Sequence, residues 1–217
     1  MFPYPSYGSH TISGETFELM DGIFGVAVEK GSGGNRGLYF HALASEHENF
    51  VSLAALNNKT VWENDENANA EAFKILGPRG SQSAASAIDA SGNLFFGLNN
   101  MNAIACWDTS KKPLTRAAVK TLVKDDEKLQ FTAGMKIIRN TDGEEELWMV
   151  SNRFQVISKY EENWKAYTTT FCAFLTGKTS IFLFRVASKI PIKLSCLSHS
   201  QQKDLQEQLE TKISWKL

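Results

Sequence analysis

Residues 77–108 read GPRGSQSAASAIDASGNLFFGLNNMNAIACWD, and this stretch decides the fold class. It contains three short apolar runs, at residues 83–88, 94–98 and 102–107, separated by Ser, Gly, Asp and Asn. Runs of this length suit β-strands and are too short for helices. Asn and Gly adopt the positive backbone angles that tight hairpin turns require. The stretch therefore predicts an antiparallel meander of about three strands, the size of one β-propeller blade.

Similar meanders are predicted on both sides of this stretch. A charged connector at residues 111–128 follows it, with one helical turn predicted around residues 116–123. Strand triplets that recur about every 45 to 55 residues favour repeated blades over a closed sandwich. The further predicted strands are residues 15–19, 23–29, 37–44, 49–56, 135–139, 146–151 and 153–157.

Three motifs carry a resemblance to a known family. The central motif AxxxDxxGNLFFGL, followed by IACWD, resembles sequences of the major royal jelly and yellow protein family. The other two motifs follow the family's order and together cover about residues 10–157. The third motif departs from the family at Thr132-Ala133, where members of the family usually have Pro-Ser. The two flanking motifs are DGIFGVAV with RGLYFHA at residues 21–42, and LQFTAGMKII with ELWMVSNRF at residues 129–154.

The resemblance implies a secreted six-bladed β-propeller that is considerably larger than 217 residues. We therefore expect an all-β, incomplete six-bladed propeller of about three blades over residues 1–157, and we expect the chain to be a fragment. Residues 1–5, MFPYP, lack the basic and apolar regions of a secretory signal. The expected extracellular location therefore rests on the resemblance.

Residues 158–217 show no resemblance to the family, so we expect an unmatched tail, partly helical or disordered, with few contacts to the propeller strands. The apolar run at residues 171–186 contains Lys178. It is shorter than the roughly 20 residues that a membrane-spanning helix needs. Residues 200–214 have a helix-forming composition, with leucine or isoleucine at every fourth position from Leu205.

Composition excludes several function classes. The formal net charge is -1, so no overall field recruits nucleic acid or an anionic membrane as a partner. The three cysteines and four histidines lack metal-ligand spacing. We expect neither a metal nor a cofactor, and we interpret Cys106 as a buried, inert thiol.

No motif identifies catalytic residues. The acidic residues 62–72 lack the spacing of a calcium loop and are interpreted as a solvated loop between blades. The remaining paired carboxylates, such as Asp125-Asp126 and residues 144–146, lie in predicted loops and are interpreted as solvated.

Candidate ligand-binding residues follow from the resemblance. Some salivary members of the family in blood-feeding insects bind biogenic amines in the central cavity through a Thr, an Asn and a Phe. Here the matching positions are Thr132 and Asn152, as polar contacts, and Phe154, as an aromatic wall. The alternative interpretation is that Asn152 caps a turn and Phe154 packs in the core.

Three functions remain open. The leading hypothesis is a secreted protein that binds a small amine or indole. The alternatives are a tautomerase-type enzyme that converts dopachrome in the melanin pathway, and a nutritive or structural protein. Asn58-Lys59-Thr60 is an N-glycosylation sequence, so Asn58 is a candidate modification site.

Overall fold

The computed structural model describes residues 3–30, 36–63, 65, 67, 69–157, 171–176 and 180–184. The described chain consists mainly of antiparallel β-sheets. It begins with a 3-10 turn and a hairpin, whose Ser13-Gly14 turn takes positive φ angles at both residues. These elements are the 3-10 turn Pro5–Tyr7, β1 (Ser9–Ile12) and β2 (Glu15–Glu18).

The first sheet has four strands in sequential order. Two short helices, α1 (Leu53–Leu56) and α2 (Lys59–Trp62), and a 3-10 turn at Ala70–Ala72 lie between its last two strands. Residues 31–35 lie outside the described residues. The strands are β3 (Ile23–Val28), β4 (Gly37–Ala42), β5 (His47–Ser52) and β6 (Lys74–Pro78).

The second sheet contains the meander predicted from residues 77–108, with one strand more than expected. A helical turn was predicted around residues 116–123. The chain does form a turn there, in which the Ala118 and Val119 N–H groups donate to the Thr115 carbonyl oxygen, but the prediction is wrong from Lys120 onward, where the fourth strand begins. Leu122 and Val123 are both buried there, because they pack between the sheets. The strands are β7 (Ser86–Ile88), β8 (Asn93–Leu98), β9 (Ala103–Asp108) and β10 (Lys120–Lys124).

The third sheet begins with two long strands, β11 (Phe131–Arg139) and β12 (Glu145–Asn152). A short helix, α3 (Phe154–Ile157), follows where a strand was predicted at residues 153–157. The strand prediction there is wrong, because Asn152 accepts a hydrogen bond from the Phe154 N–H and turns the chain into the helix.

Two segments of the expected tail also belong to the third sheet. β13 (Phe171–Thr176) pairs with β12, and β14 (Ser180–Phe184) pairs with β13. The prediction of few contacts between the tail and the propeller is therefore wrong for these segments, since the free edge of β12 is an open template for pairing. Gly177, between the two strands in the sequence, is a turn signal that the tail interpretation overlooked. The helix predicted at residues 200–214 lies outside the described residues.

The three sheets stack face to face, as blades of a partial β-propeller do. The innermost strand of the second sheet, β7, lies against the innermost strands β3 and β11 of its neighbours. β8 is buried on both faces: Phe95 packs toward the third sheet, while Leu94 and Phe96 pack toward the first. Trp107 is fully buried and anchors the core of the second sheet. Among the described residues, no helix is long and apolar enough to cross a bilayer.

Charged groups join the three sheets at one end of the innermost strands. Glu145, at the start of β12, accepts hydrogen bonds from Lys30 Nζ at 2.6 Å and from the Ala90 N–H at 2.8 Å. Lys30 follows β3 and Ala90 belongs to the turn between β7 and β8. One carboxylate therefore connects all three sheets.

The first sheet leaves part of its outer face open. Val26, Val28 and Ile75 are 50%, 42% and 57% exposed on the face that turns away from the second sheet. Apolar side chains in sheet interiors are usually covered, so this face is an incomplete contact surface.

Substitution of Gly97 on β8 tests the close packing of the second and third sheets. A Cβ added to Gly97 would lie 2.5 Å from the Cβ of Thr132. We therefore expect Gly97→Ala to lower the free energy of unfolding by about 1–3 kcal/mol, the usual cost of overpacking. Urea denaturation followed by tryptophan fluorescence measures this change.

The matched control is Gly134→Ala on β11, because nothing lies within 4 Å of a Cβ added there. We expect that variant to change stability by less than about 1 kcal/mol. Equal stability of the two variants would contradict the close approach of β8 and β11.

Candidate functional site

The start of β11 lies beneath the amino-terminal hairpin. Gln82 Nε2 donates hydrogen bonds to the carbonyl oxygens of Tyr7 and Ser9, both at 2.8 Å. Asn100 Nδ2 donates to Gln82 Oε1, which fixes the orientation of the amide. Asn102 Nδ2 donates to Ser13 Oγ at 3.0 Å. The hairpin is thus held over the ends of the second and third sheets.

Aromatic rings fill the space under this hairpin. The ring of Phe154 lies 5.2 Å from that of Phe131 and 5.6 Å from that of Phe17. His10 stacks on the other side of Phe17 with ring centroids 5.1 Å apart. Phe154 remains half-buried, whereas Phe131 is buried in a cluster with Ile12, Leu43 and Ala84. The predicted aromatic residue therefore has apolar packing partners of its own.

Asn152 lies at the end of β12 and is half-buried. Its Oδ1 accepts the Phe154 N–H at 3.0 Å. Asn152 and Phe154 do not belong to one extended strand, because the strand ends at Asn152 and a helix begins at Phe154. The two residues are nevertheless brought together by this cap.

Thr132 is 1% exposed and lies on another surface of β11. The register pairs Phe131 with Asn152 and Thr132 with Ser151. Successive residues of a strand point to opposite faces. Thr132 and Ser151 therefore face the second sheet, and Asn152 lies on the opposite face from them.

Three buried polar groups around Thr132 have no hydrogen-bond partner in the described part of the chain. They are Thr132 Oγ1, Ser151 Oγ and Asn99 Nδ2. The Thr132 N–H donates to Asn99 Oδ1 at 3.2 Å, so the amide of Asn99 is beside the threonine. Buried polar groups normally find a partner, and an exception needs an explanation such as a ligand or a bound water.

A buried charged network lies between the first two sheets, and the sequence analysis missed it. His41 Nδ1 and Glu48 Oε2 are 2.9 Å apart, and Arg79 Nη1 donates to the same carboxylate oxygen at 2.9 Å. His41 and Glu48 are 0% exposed. Arg79 lies 31 residues beyond Glu48 in the sequence, so no local motif could have revealed the complete network.

Burial and the nearby Arg79 guanidinium lower the pKa of His41, against the opposing effect of Glu48. Burial likewise lowers the pKa of His10. Both imidazoles are therefore held in the neutral form near pH 7.

The other features considered in the sequence were a glycosylation site, a buried cysteine and a metal site. Asn58 is exposed between α1 and α2. Cys106 is fully buried and its sulfur takes part in a disulfide, which corrects the prediction of a free thiol. Within the described ranges, no group of three or more His, Cys, Asp or Glu side chains has the arrangement of a metal site.

Comparison with known proteins identifies the family. The sequence profile described as "Major royal jelly protein" matches residues 1–174. Major royal jelly protein 9 of Apis mellifera is 34% identical over 166 residues, which cover 73% of this chain and 37% of that protein. Dopaminechrome tautomerase of Drosophila melanogaster is 32% identical over 160 residues, which cover 71% of this chain and 34% of that protein.

The chain therefore spans little more than a third of the length of these relatives. Among solved structures, the nidogen/laminin complex superposes with a TM-score of 0.47 and 9% identity, over 77% of this chain and 49% of that one. The family match reaches residue 174, beyond the limit of residue 157 that the sequence motifs suggested.

The buried imidazole of His41 makes stability depend on pH. Its pKa is lowered in the folded state, so the unfolded chain binds a proton more readily. Stability is fully present above the ordinary histidine pKa of about 6.5 and is lost as the pH falls toward the lowered value. We expect urea midpoints to fall between about pH 7 and pH 5, and to fall less steeply in His41→Gln.

His47→Gln is the control, because His41 is retained in that variant and the steep fall should remain. His10 contributes in the same direction as His41, so some pH dependence should persist in His41→Gln. Identical pH profiles for His41→Gln and the unaltered chain would show that His41 is not held neutral.

Proposed function

Because this chain belongs to the major royal jelly protein family, we propose that it is part of a secreted protein that binds a small aromatic amine or indole. The ligand lies across the start of β11, where Phe131 and Thr132 point to opposite faces of the strand. On the face that carries Phe131, Phe154 supplies an aromatic wall and Asn152 a polar contact at the end of the neighbouring strand, and Thr132 supplies a polar contact from the opposite face.

The observation that carries this proposal is the set of buried, unpartnered polar groups. Thr132 Oγ1, Ser151 Oγ and Asn99 Nδ2 offer two hydroxyls and one amide NH₂ in a buried setting. An unsatisfied buried polar group costs about 1–3 kcal/mol. A ligand hydroxyl can accept a hydrogen bond from Asn99 Nδ2, and an indole N–H or an ammonium group can donate to the Thr132 or Ser151 hydroxyl, so such a ligand removes that cost.

The aromatic cluster supports the same ligand class. Phe154 is half-buried, so part of this residue is accessible, and its N–H donates to Asn152 Oδ1. An aromatic face attracts a cation or stacks on a second ring, and each contact contributes about 0.5–1.5 kcal/mol. Three sheets surround the site only in part, so we expect weak binding by this chain.

Secretion is supported by the disulfide of Cys106. Disulfides form and persist in oxidising compartments and are rare in the cytosol. The expected extracellular location therefore agrees with the chemistry of the core.

Tautomerisation of an indole-type quinone is the second candidate function, and the relative named dopaminechrome tautomerase favours it. That reaction requires a proton donor and acceptor in contact with the substrate. Incubation with dopaminechrome, followed by absorbance, tests this candidate. Conversion faster than in buffer would show that the chain catalyses this reaction, and would contradict a function limited to binding. A nutritive role, in contrast, requires neither conversion nor binding.

Removal of the Thr132 hydroxyl is the sharpest test of binding. Thr132→Val keeps the shape of the side chain, and Oγ1 has no partner in the described part of the chain, so stability should be unchanged or higher. We expect the affinity for dopamine or serotonin to fall about tenfold, equivalent to about 1.4 kcal/mol. Isothermal titration calorimetry measures both ligands.

The control is Thr121→Val on β10, which removes an exposed hydroxyl away from the start of β11. Its affinity should equal that of the unaltered chain. Equal affinities of the Thr132→Val and unaltered chains would remove Thr132 from the site. Absence of heat with either amine at millimolar concentration would contradict amine binding by this chain.

A further inference from the structure

The connection between β5 and β6 presents an exposed asparagine at the outer side of the first sheet. Asn58 stands between α1 and α2, and Asn58, Lys59 and Thr60 are all exposed. The Asn58 side chain does not cap the helix that follows it. The amide group is therefore available to a modifying enzyme.

Described residues on either side of this turn are attached to the first sheet, so the turn is held in one place. Trp62 Nε1 donates to the Ala55 carbonyl oxygen at 3.0 Å, which closes the two short helices on each other. The Trp62 ring packs on Phe73, and Phe73 packs on Phe40 of the first sheet. These contacts place the apolar side of the connection against the sheet and leave the Asn58 turn facing solvent.

From this placement we infer that Asn58 carries an N-linked glycan. Asn58-Lys59-Thr60 satisfies the acceptor pattern of Asn, any residue except Pro, then Ser or Thr. A glycan is bulky and hydrophilic and requires a surface position. The turn meets that requirement without displacing any contact of the sheet.

The reaction is a glycosyl transfer from a lipid-pyrophosphate-linked oligosaccharide, the co-substrate of the secretory compartment. The Asn58 amide nitrogen forms a bond to the sugar C1, and the bond from C1 to the pyrophosphate oxygen breaks. The amide loses one proton and the lipid pyrophosphate leaves with the bonding electrons. The inference rests on the proposed secretion, for which the Cys106 disulfide is separate support.

The experiment is expression of the full chain in insect cells behind a cleavable secretory leader. We expect a slower-migrating form that peptide-N-glycosidase converts to the faster one, with Asn58 becoming aspartate in the peptide mass spectrum. Asn58→Gln and Thr60→Ala should abolish the slower form. Thr60→Ser should retain it, because serine also satisfies the acceptor pattern.

Asn57→Gln is the matched control, since Asn57 is adjacent and exposed but starts no acceptor sequence. Both the medium and the cell lysate are analysed, so a chain that is retained in the cell is still measured. Unmodified Asn58 in both fractions would overturn the inference. Because the leader supplies entry to the secretory pathway, glycosylation is tested separately from secretion of the natural protein and from amine binding.

Discussion

The guanidinium of Arg79 is the buried charge on which the joining of the first two sheets depends. It donates to the carbonyl oxygens of Ser45 and His47 at 2.7 and 2.6 Å, and to Glu48 at 2.9 Å. It also lies 5.9 Å from the ring centroid of Phe96 in the second sheet. A buried cation must be paired and hydrogen-bonded, so the turn between β4 and β5 and the end of β6 are fixed together.

This constraint determines where the chain enters the second sheet. Arg79 directly follows β6, and Gln82, three residues later, holds the amino-terminal hairpin through the Tyr7 and Ser9 carbonyls. Glu145 connects the sheets at the other end of the innermost strands, through its hydrogen bonds with Lys30 and Ala90. Polar anchors at both ends therefore leave the apolar clusters between them to set the distance from sheet to sheet. The candidate site at Thr132 depends on that distance. Thr132 packs so closely against β8 that only a residue without a side chain, Gly97, fits opposite it.

Features with a local cause were predictable from the sequence, and those with a long-range cause were not. The strands β8 and β9 follow from apolar runs between Asn and Gly turns. β10 was not predicted. Its two buried residues stand between Lys120 and Lys124, so the segment lacks the apolar pattern of a strand in the sequence. Thr132 could be selected by resemblance, but the face it occupies depends on its register with Ser151. Glu48 and Arg79 are 31 residues apart, so only the fold brings them together.

The chemistry of the described polar groups favours binding over proton transfer. His41 and Glu48 have the composition of an acid–base pair, yet both are fully buried and His41 Nε2 lies against the Gly25 backbone. A general base must come within hydrogen-bond reach of the proton that it abstracts, and this imidazole is enclosed by two sheets. The groups at the start of β11 are hydroxyls and an amide, which do not titrate near neutral pH. They can hold a ligand by hydrogen bonds, but they cannot serve as a base, so a catalytic function would require groups beyond those of this site.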